Sequence, residues 1–166
     1  MLIVILKDLK DLWPEIMPKH KETKIVDFTD IQMFDLVADI DSYDLFLPWC
    51  NNSRIIESSK IDSDNDYVIA DLEIGYKNLV YIYRSAVSLN RKNLIIDVEF
   101  VDGPFKHLVN KWNFKQTEGN KCEIDFFIDF ELNVGVFNYL ISKFFDKAFN
   151  KMVSSFEDRA SQVYKS

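Results

Sequence analysis

The sequence predicts an α+β fold: a curved antiparallel sheet wrapped around a long C-terminal helix, with short helices after the first strand. Three observations predict it. Between Cys50 and about Leu132 apolar and polar residues alternate at period two. From Val136 to Tyr164 apolar residues instead recur at three-four spacing, and a helix-start signal follows the first short run of alternation.

Met1 to Leu6 is an apolar run too short for a signal peptide, and Lys7, Asp8, Lys10 and Asp11 follow where its apolar segment would continue. Residues 1–17 are expected to be an N-terminal extension and residues 18–166 a single domain, with Met17 a second plausible start beside Met1. Lys19 to Phe28 alternates charged and apolar residues and reads as a strand. It ends at Thr29, a good N-cap, after which Ile31, Phe34, Leu36, Val37 and Ile40 recur at helical spacing. Asp41-Ser42-Tyr43 starts another turn or short helix, which Pro48 ends.

The segments Asp66–Ile74, Leu79–Leu89, Leu94–Val101, Leu108–Gln116 and Lys121–Leu132 read as strands, divided by Asn, Asp, Gly and Lys clusters. Short turns between them imply an antiparallel meander. Ile124, Phe126, Ile128 and Phe130 alternate with Glu123, Asp125, Asp129 and Glu131, so one face is wet and the other covered. The cover is the final helix, about 40 Å long at 1.5 Å per residue. Its stripe runs through Phe137, Phe144, Phe149, Met152 and Phe156, with Lys143, Asp146, Lys147 and Glu157 opposite. Val153, Ala160 and Val163 are expected to form an exposed apolar flank that suits a membrane or a second copy.

With 48% apolar and 28% charged residues in 166, the chain can bury a large core as one soluble domain. Four glycines and four prolines leave no room for a flexible linker, and there is no internal repeat. A net charge of -7 argues against DNA or any non-specific nucleic-acid partner, which is held through excess Lys and Arg. Cys50 and Cys122, without a secretory signal or a dense cysteine pattern, read as reduced thiols in a cytoplasmic protein.

Phe46-Leu47-Pro48-Trp49-Cys50, Gly103-Pro104-Phe105 and Trp112-Asn113-Phe114 place bulky apolar groups beside chain-stiffening residues. Proline fixes its own φ and extends the residue before it, so these bends read as shaped walls around an interior. Catalytic chemistry finds no such support. His20 and His107 are the only histidines, no CxxC, HxxxH or HExxH spacing marks a metal site, and no glycine-rich phosphate loop occurs. Asp97 and Glu99 read as a solvated outer face, Ser53, Ser85 and Ser88 lack an evident base, and Cys50 lacks a neighbouring histidine.

Tyr43 through Cys50 with Ser53, then Gly103-Pro104-Phe105 with Leu108, Trp112-Asn113-Phe114, Phe126–Phe130 and Met152–Ala160 resemble the coenzyme Q-binding branch of the polyketide cyclase/dehydrase family. The resemblance covers about Pro18 to Tyr164 and includes bacterial ribosome-association toxin relatives. It implies a START-like helix-grip fold with a hydrophobic cavity under the long helix. It also implies non-catalytic binding of a polyprenyl quinone (ubiquinone) or another lipid in support of respiratory electron transport, with no cofactor and with transient contact with the inner membrane. The toxin relatives imply the alternative partner, a ribosomal subunit, for which Lys19, Lys21, Lys24, Arg91, Lys92 and Lys106 are scattered basic candidates.

A ligand of this class needs an apolar cavity of ~300–1,000 Å³ with a few polar groups to orient its head. Tyr81, Tyr83, Arg84, His107 and Asn110 are the donors on strands, Arg84 reading either as a paired interior guanidinium or as a side chain snorkelling over the convex face. Phe46, Trp49 and Phe105 are expected at the mouth. Leu108, Trp112, Phe126, Phe144, Phe149 and Met152 are expected as wall, each with an equally plain reading as core.

Overall fold

Thr29 starts the first helix as its sequence demands. The Thr29 hydroxyl accepts from the Gln32 amide at 3.2 Å while the Gln32 side chain accepts from the Thr29 amide at 2.9 Å, a reciprocal capping box. This computed structural model describes residues 19–76, 79–133 and 135–165, with the side chains of residues 76, 79 and 135–145 outside the description. The extension expected over residues 1–17 also lies outside the described residues.

Strand β1 (Lys19–Val26) leads to helix α1 (Asp30–Ala38) and a 3₁₀ helix (Ile40–Leu45). Six strands follow: β2 (Cys50–Lys60), β3 (Asn65–Tyr76), β4 (Leu79–Asn90), β5 (Ile95–Asp102), β6 (Phe105–Thr117) and β7 (Lys121–Leu132). Helix α2 (Gly135–Tyr164) ends the chain. All seven strands lie in one antiparallel sheet of order β1-β7-β6-β5-β4-β3-β2. The predicted α+β helix-grip architecture is therefore the observed one.

Strand β2 has no counterpart among the segments predicted as strands. It lies at the sheet edge, most of its residues are exposed, and register shifts between Cys50 and Asn52 and between Ile55 and Glu57 break its alternation. At the bend before β6, Gly103 takes φ 134°, and a Cβ there would lie 2.8 Å from the Ile82 carbonyl oxygen. Only glycine lets the chain turn that close to β4.

The concave face carries two apolar clusters. The first joins α1 (Met33, Phe34, Leu36, Val37) to the sheet through Val87, Ile96, Phe114 and Ile124 and to α2 through Phe156 and Ala160. Phe34 is 1% exposed and meets Phe114 edge-on at 6.0 Å. The Tyr164 hydroxyl donates to the Gln32 carbonyl at 3.0 Å, fastening the end of α2 to α1. The second cluster, Tyr83, Leu108, Phe130 and Leu132 with Phe100 and Phe105 against it, lies at the other end, where β6 begins and β7 ends.

The exposed flank expected on α2 is not there: Ala160 is fully buried and Val153 half-buried, leaving only Val163 at the surface. The reason is α1, which gives this end of α2 a second surface to pack against. Both cysteines are free thiols, as expected.

Phe34→Ala is expected to lower unfolding stability by ~3–5 kcal/mol and Thr29→Ala by about 1 kcal/mol. Urea titration followed by circular dichroism reads both, with an unchanged m-value in each.

Candidate ligand site on the concave face

Strand periodicity aims Ile124, Phe126, Ile128 and Phe130 of β7 and Leu108, Asn110, Trp112 and Phe114 of β6 at the same side, as their cross-strand partnering confirms. Between them and α2 lies a cavity of about 40 Å³ lined by Trp112, Ile124, Phe126, Phe149, Val153 and Phe156, with α1 closing one side through Met33 and Val37. A drug-sized guest needs ~300 Å³ or more, so this cavity among the described residues is smaller than the ligand-sized hollow expected. The chain's own rings fill it. Trp112 and Phe126 approach to 4.6 Å between centroids, Phe126 and Phe149 to 5.2 Å, and Trp112 and Phe156 to 5.6 Å.

The edge strand beside the cavity carries charged side chains on its inner face, which the sequence reading missed. His20, Glu22 and Lys24 share the inner side of β1 with Val26, opposite Ile128, Phe126, Ile124 and Cys122 of β7. The His20 ring lies 4.2 Å from that of Phe149 with its Nε2 3.1 Å from Glu22 Oε2, and Lys24 Nζ reaches Glu157 Oε1 at 2.9 Å. Only an edge strand can face inward with charged side chains, because its inner positions reach the mouth. The signal was present: residues 20, 22 and 24 alternate in phase with Val26, but the reading of Lys19 to Phe28 as a strand left its faces unassigned, and the apolar Ile25 is 58% exposed.

The expected mouth is not assembled. Phe46 packs into the first cluster, 5.2 Å from Phe156 and 5.9 Å from Tyr43, with the Arg159 guanidinium over its ring. Phe105 belongs to the second cluster, 5.1 Å from Tyr83 and 5.8 Å from Phe130. Trp49 is half-exposed at a left-handed φ of 63°, held by its carbonyl accepting from the Gly75 amide at 2.8 Å. Glu22 and Lys24 of β1 and Glu157 of α2 also line the cavity, through their hydrocarbon stems.

Of the polar candidates, Tyr81 is half-buried opposite Ile74, Tyr83 is buried opposite Leu72, and Asn110 is inside, donating to the Phe127 carbonyl at 2.9 Å and accepting from the Trp112 indole at 2.7 Å. Arg84 is corrected out of the site. It stands on the convex face, its guanidinium donating twice to the Asp71 carboxylate at 2.7 and 2.8 Å and holding that carboxyl below its ordinary range. Alternation decides this, since Tyr83 and Ser85 on either side are buried. His107 also faces out, 3.1 Å from Asp129. Leu108 is buried and Met152 half-buried against the first cluster. The Phe144 side chain lies outside the described residues.

The chemistry available is that of an apolar receptacle. Burial, with Asp44 nearby, pushes the Cys50 thiol up to about 11, and burial does the same for Cys122. Ser53 exchanges hydrogen bonds with Asp44 and meets no imidazole. Asp97 pairs with Lys111 at 3.0 Å on the convex side. Among the described residues no group of three or more His, Cys, Asp and Glu is placed to hold a metal ion.

Residues 31–157 match the sequence profile of polyketide cyclase/dehydrase and lipid transport proteins. The chain belongs to that family. Within the family it is 32% identical over 149 residues to coenzyme Q-binding protein COQ10 homolog B, mitochondrial, of Xenopus laevis, an alignment covering 88% of this chain and 59% of that protein. It is 36% identical over 152 residues to the ribosome association toxin RatA of Rickettsia prowazekii, covering 90% of this chain and all of that one. These relatives carry the names of a binding protein and a toxin. The solution structure of the 18 kDa protein CC1736 from Caulobacter crescentus superposes with a TM-score of 0.73 at 31% identity, covering 90% of this family member and all of that chain. The Zhui aromatase/cyclase of Streptomyces shares the fold alone, with a TM-score of 0.74 at 12% identity over 88% and 94% of the two chains.

The Cys50 thiol, with its pKa near 11, should carry about a hundredfold less thiolate at pH 8 than an ordinary cysteine. Iodoacetamide labelling of the native protein is expected to be correspondingly slow and to accelerate about tenfold per pH unit up to that value. Labelling at the rate of a free thiol would contradict the burial.

Proposed function

We propose that the protein binds a hydrophobic ligand, a polyprenyl quinone of the ubiquinone type, without chemistry and in support of respiratory electron transport. The observation that carries this reading is the aromatic cavity lined by Trp112, Phe126 and Phe149, a hollow in an apolar face covered by a long amphipathic helix, with α1 closing one side. The name of the Xenopus relative points to the same ligand class. Since the closed cavity is about 40 Å³, the ligand is admitted as α2 yields and its tail takes the place of the chain's own rings. The rim resists weakly: the Lys24–Glu157 pair is over a third exposed on each side, and exposed pairs contribute ~0.2–1 kcal/mol. Delivery takes place in transient contact with the inner membrane from the cytoplasmic side. None of the described helices is long and apolar enough to cross a membrane.

The second reading, contact with a ribosomal subunit that blocks subunit joining, is favoured by the full-length match to the Rickettsia protein. Charge weighs against it. Lys19, Lys24, Arg91 and Lys106 each already pair with a carboxylate, and the whole chain carries -7.

Purified protein titrated with decylubiquinone is expected to show saturable quenching of tryptophan fluorescence. Val153→Phe, which fills the cavity, should weaken binding about fivefold, equivalent to about 1 kcal/mol. Ribosome profiles shifted by the protein in sucrose gradients, with no quinone quenching and no lipid in organic extracts, would overturn the reading in favour of the second.

A further inference from the structure

Tyr83 is 6% exposed, and its hydroxyl is a buried side-chain polar atom left without a partner at hydrogen-bond geometry among the described residues. Such atoms are rare, because a buried hydroxyl that exchanges water for hydrocarbon loses a hydrogen bond and gains nothing. The other polar side chains on this face are engaged: Asn110 and Trp112 bond to each other, and Ser53 bonds to Asp44. Among the described residues the walls around Tyr83 are hydrocarbon. Phe105 lies edge-on at 5.1 Å, Phe100 is stacked at 6.4 Å, and Leu108 and Phe130 complete the cluster. The polar neighbour is Ser85, itself 3% exposed and two residues along the same inward face. As a weak hydrogen-bonding neighbour, short of full hydrogen-bond geometry, it lowers the phenol's pKa against the larger effect of burial, which raises it. A water at the hydroxyl would find few further polar groups there, whereas a buried water normally holds about three hydrogen bonds.

We propose that the Tyr83 hydroxyl, with Ser85 beside it, is the polar anchor of the concave face and donates a hydrogen bond to one carbonyl or hydroxyl oxygen of a ligand that is otherwise hydrocarbon. This rests on the ligand-binding reading above and assigns the head-group end. The oxygen-bearing ring sits in the second cluster, against Phe100 and Phe105, and the tail runs toward Trp112 and Phe149.

The test compares decylubiquinone with dodecylbenzene, a ring and tail without oxygen, on wild-type protein and on Tyr83→Phe and Ser85→Ala variants, by tryptophan fluorescence. Wild type is expected to prefer the quinone. Tyr83→Phe should lose about three- to tenfold in quinone affinity with dodecylbenzene binding unchanged and with a melting temperature equal to or above wild type. Ser85→Ala is expected to lose less. The quinone carbonyl stretch in the infrared should be lowered by wild type and restored by Tyr83→Phe. Equal quinone affinity and an unmoved carbonyl band in Tyr83→Phe would overturn the anchor while leaving ligand binding intact. Failure of wild type to bind either compound would overturn the ligand-binding reading itself, and the anchor with it.

Discussion

A curved sheet whose inner face is almost wholly apolar cannot stand in water, and here the roof is one long helix, helped at one end by a short one. Everything else in the architecture answers to that. The strands follow one another across the sheet in sequence order except β1, which crosses to pair with β7 and so borders the far end of α2. Burying this much aromatic surface is the main source of stability at ~25 cal/mol per Å². The surface that stabilises the fold is also the one that would receive a ligand, so a guest competes with Phe126, Phe149 and Phe156 for the same wall. That accounts for the small volume of the cavity among the described residues.

The convex side follows different physics. Arg84 with Asp71, Lys111 with Asp97, Lys115 with Asp125 and Lys106 with Glu131 tie neighbouring strands together through half-exposed ion pairs. Each contributes little alone. Together they engage Arg84, Lys106, Lys111 and Lys115, four of the basic groups on which a nucleic-acid partner would draw. In the interior the polar groups are few: Asn110, Ser85 and Tyr83 within the sheet, and the His20, Glu22 and Lys24 row at its edge.

How much of this was legible in the sequence depended on how strongly each segment was one-sided. Strand β7 and helix α2 announce themselves, because Ile124 to Phe130 and Phe149 to Phe156 each obey a single period. Strand β2 did not, since an edge strand interrupted by bulges has no buried row to reveal. Strand β1 was recognised as a strand with its faces unassigned, because charged side chains point inward at the rim while Ile25 points out. Arg84 could be placed only once Tyr83 and Ser85 were known to be buried. The proline bends were legible as bends, but where Phe46 and Phe105 would be sent depends on contacts distant in the chain, with Phe156 more than a hundred residues from Phe46 and Tyr83 about twenty from Phe105. The size of the cavity was not legible at all, since it is the difference between two large volumes set by the rotamers of several rings.

Ala160 has no solvent exposure and Tyr164 bonds back to Gln32, which carries a consequence for biosynthesis. The residues that complete the first cluster are translated after every strand, while their partners in β1 and α1 come first in the described fold. A nascent chain can pair β2 through β7 as a meander, but its greasy side stays bare until the last helix has been translated. Closure is thus a late, high-contact-order event, and the interval before it is when the polypeptide is most open to aggregation or to chaperone capture.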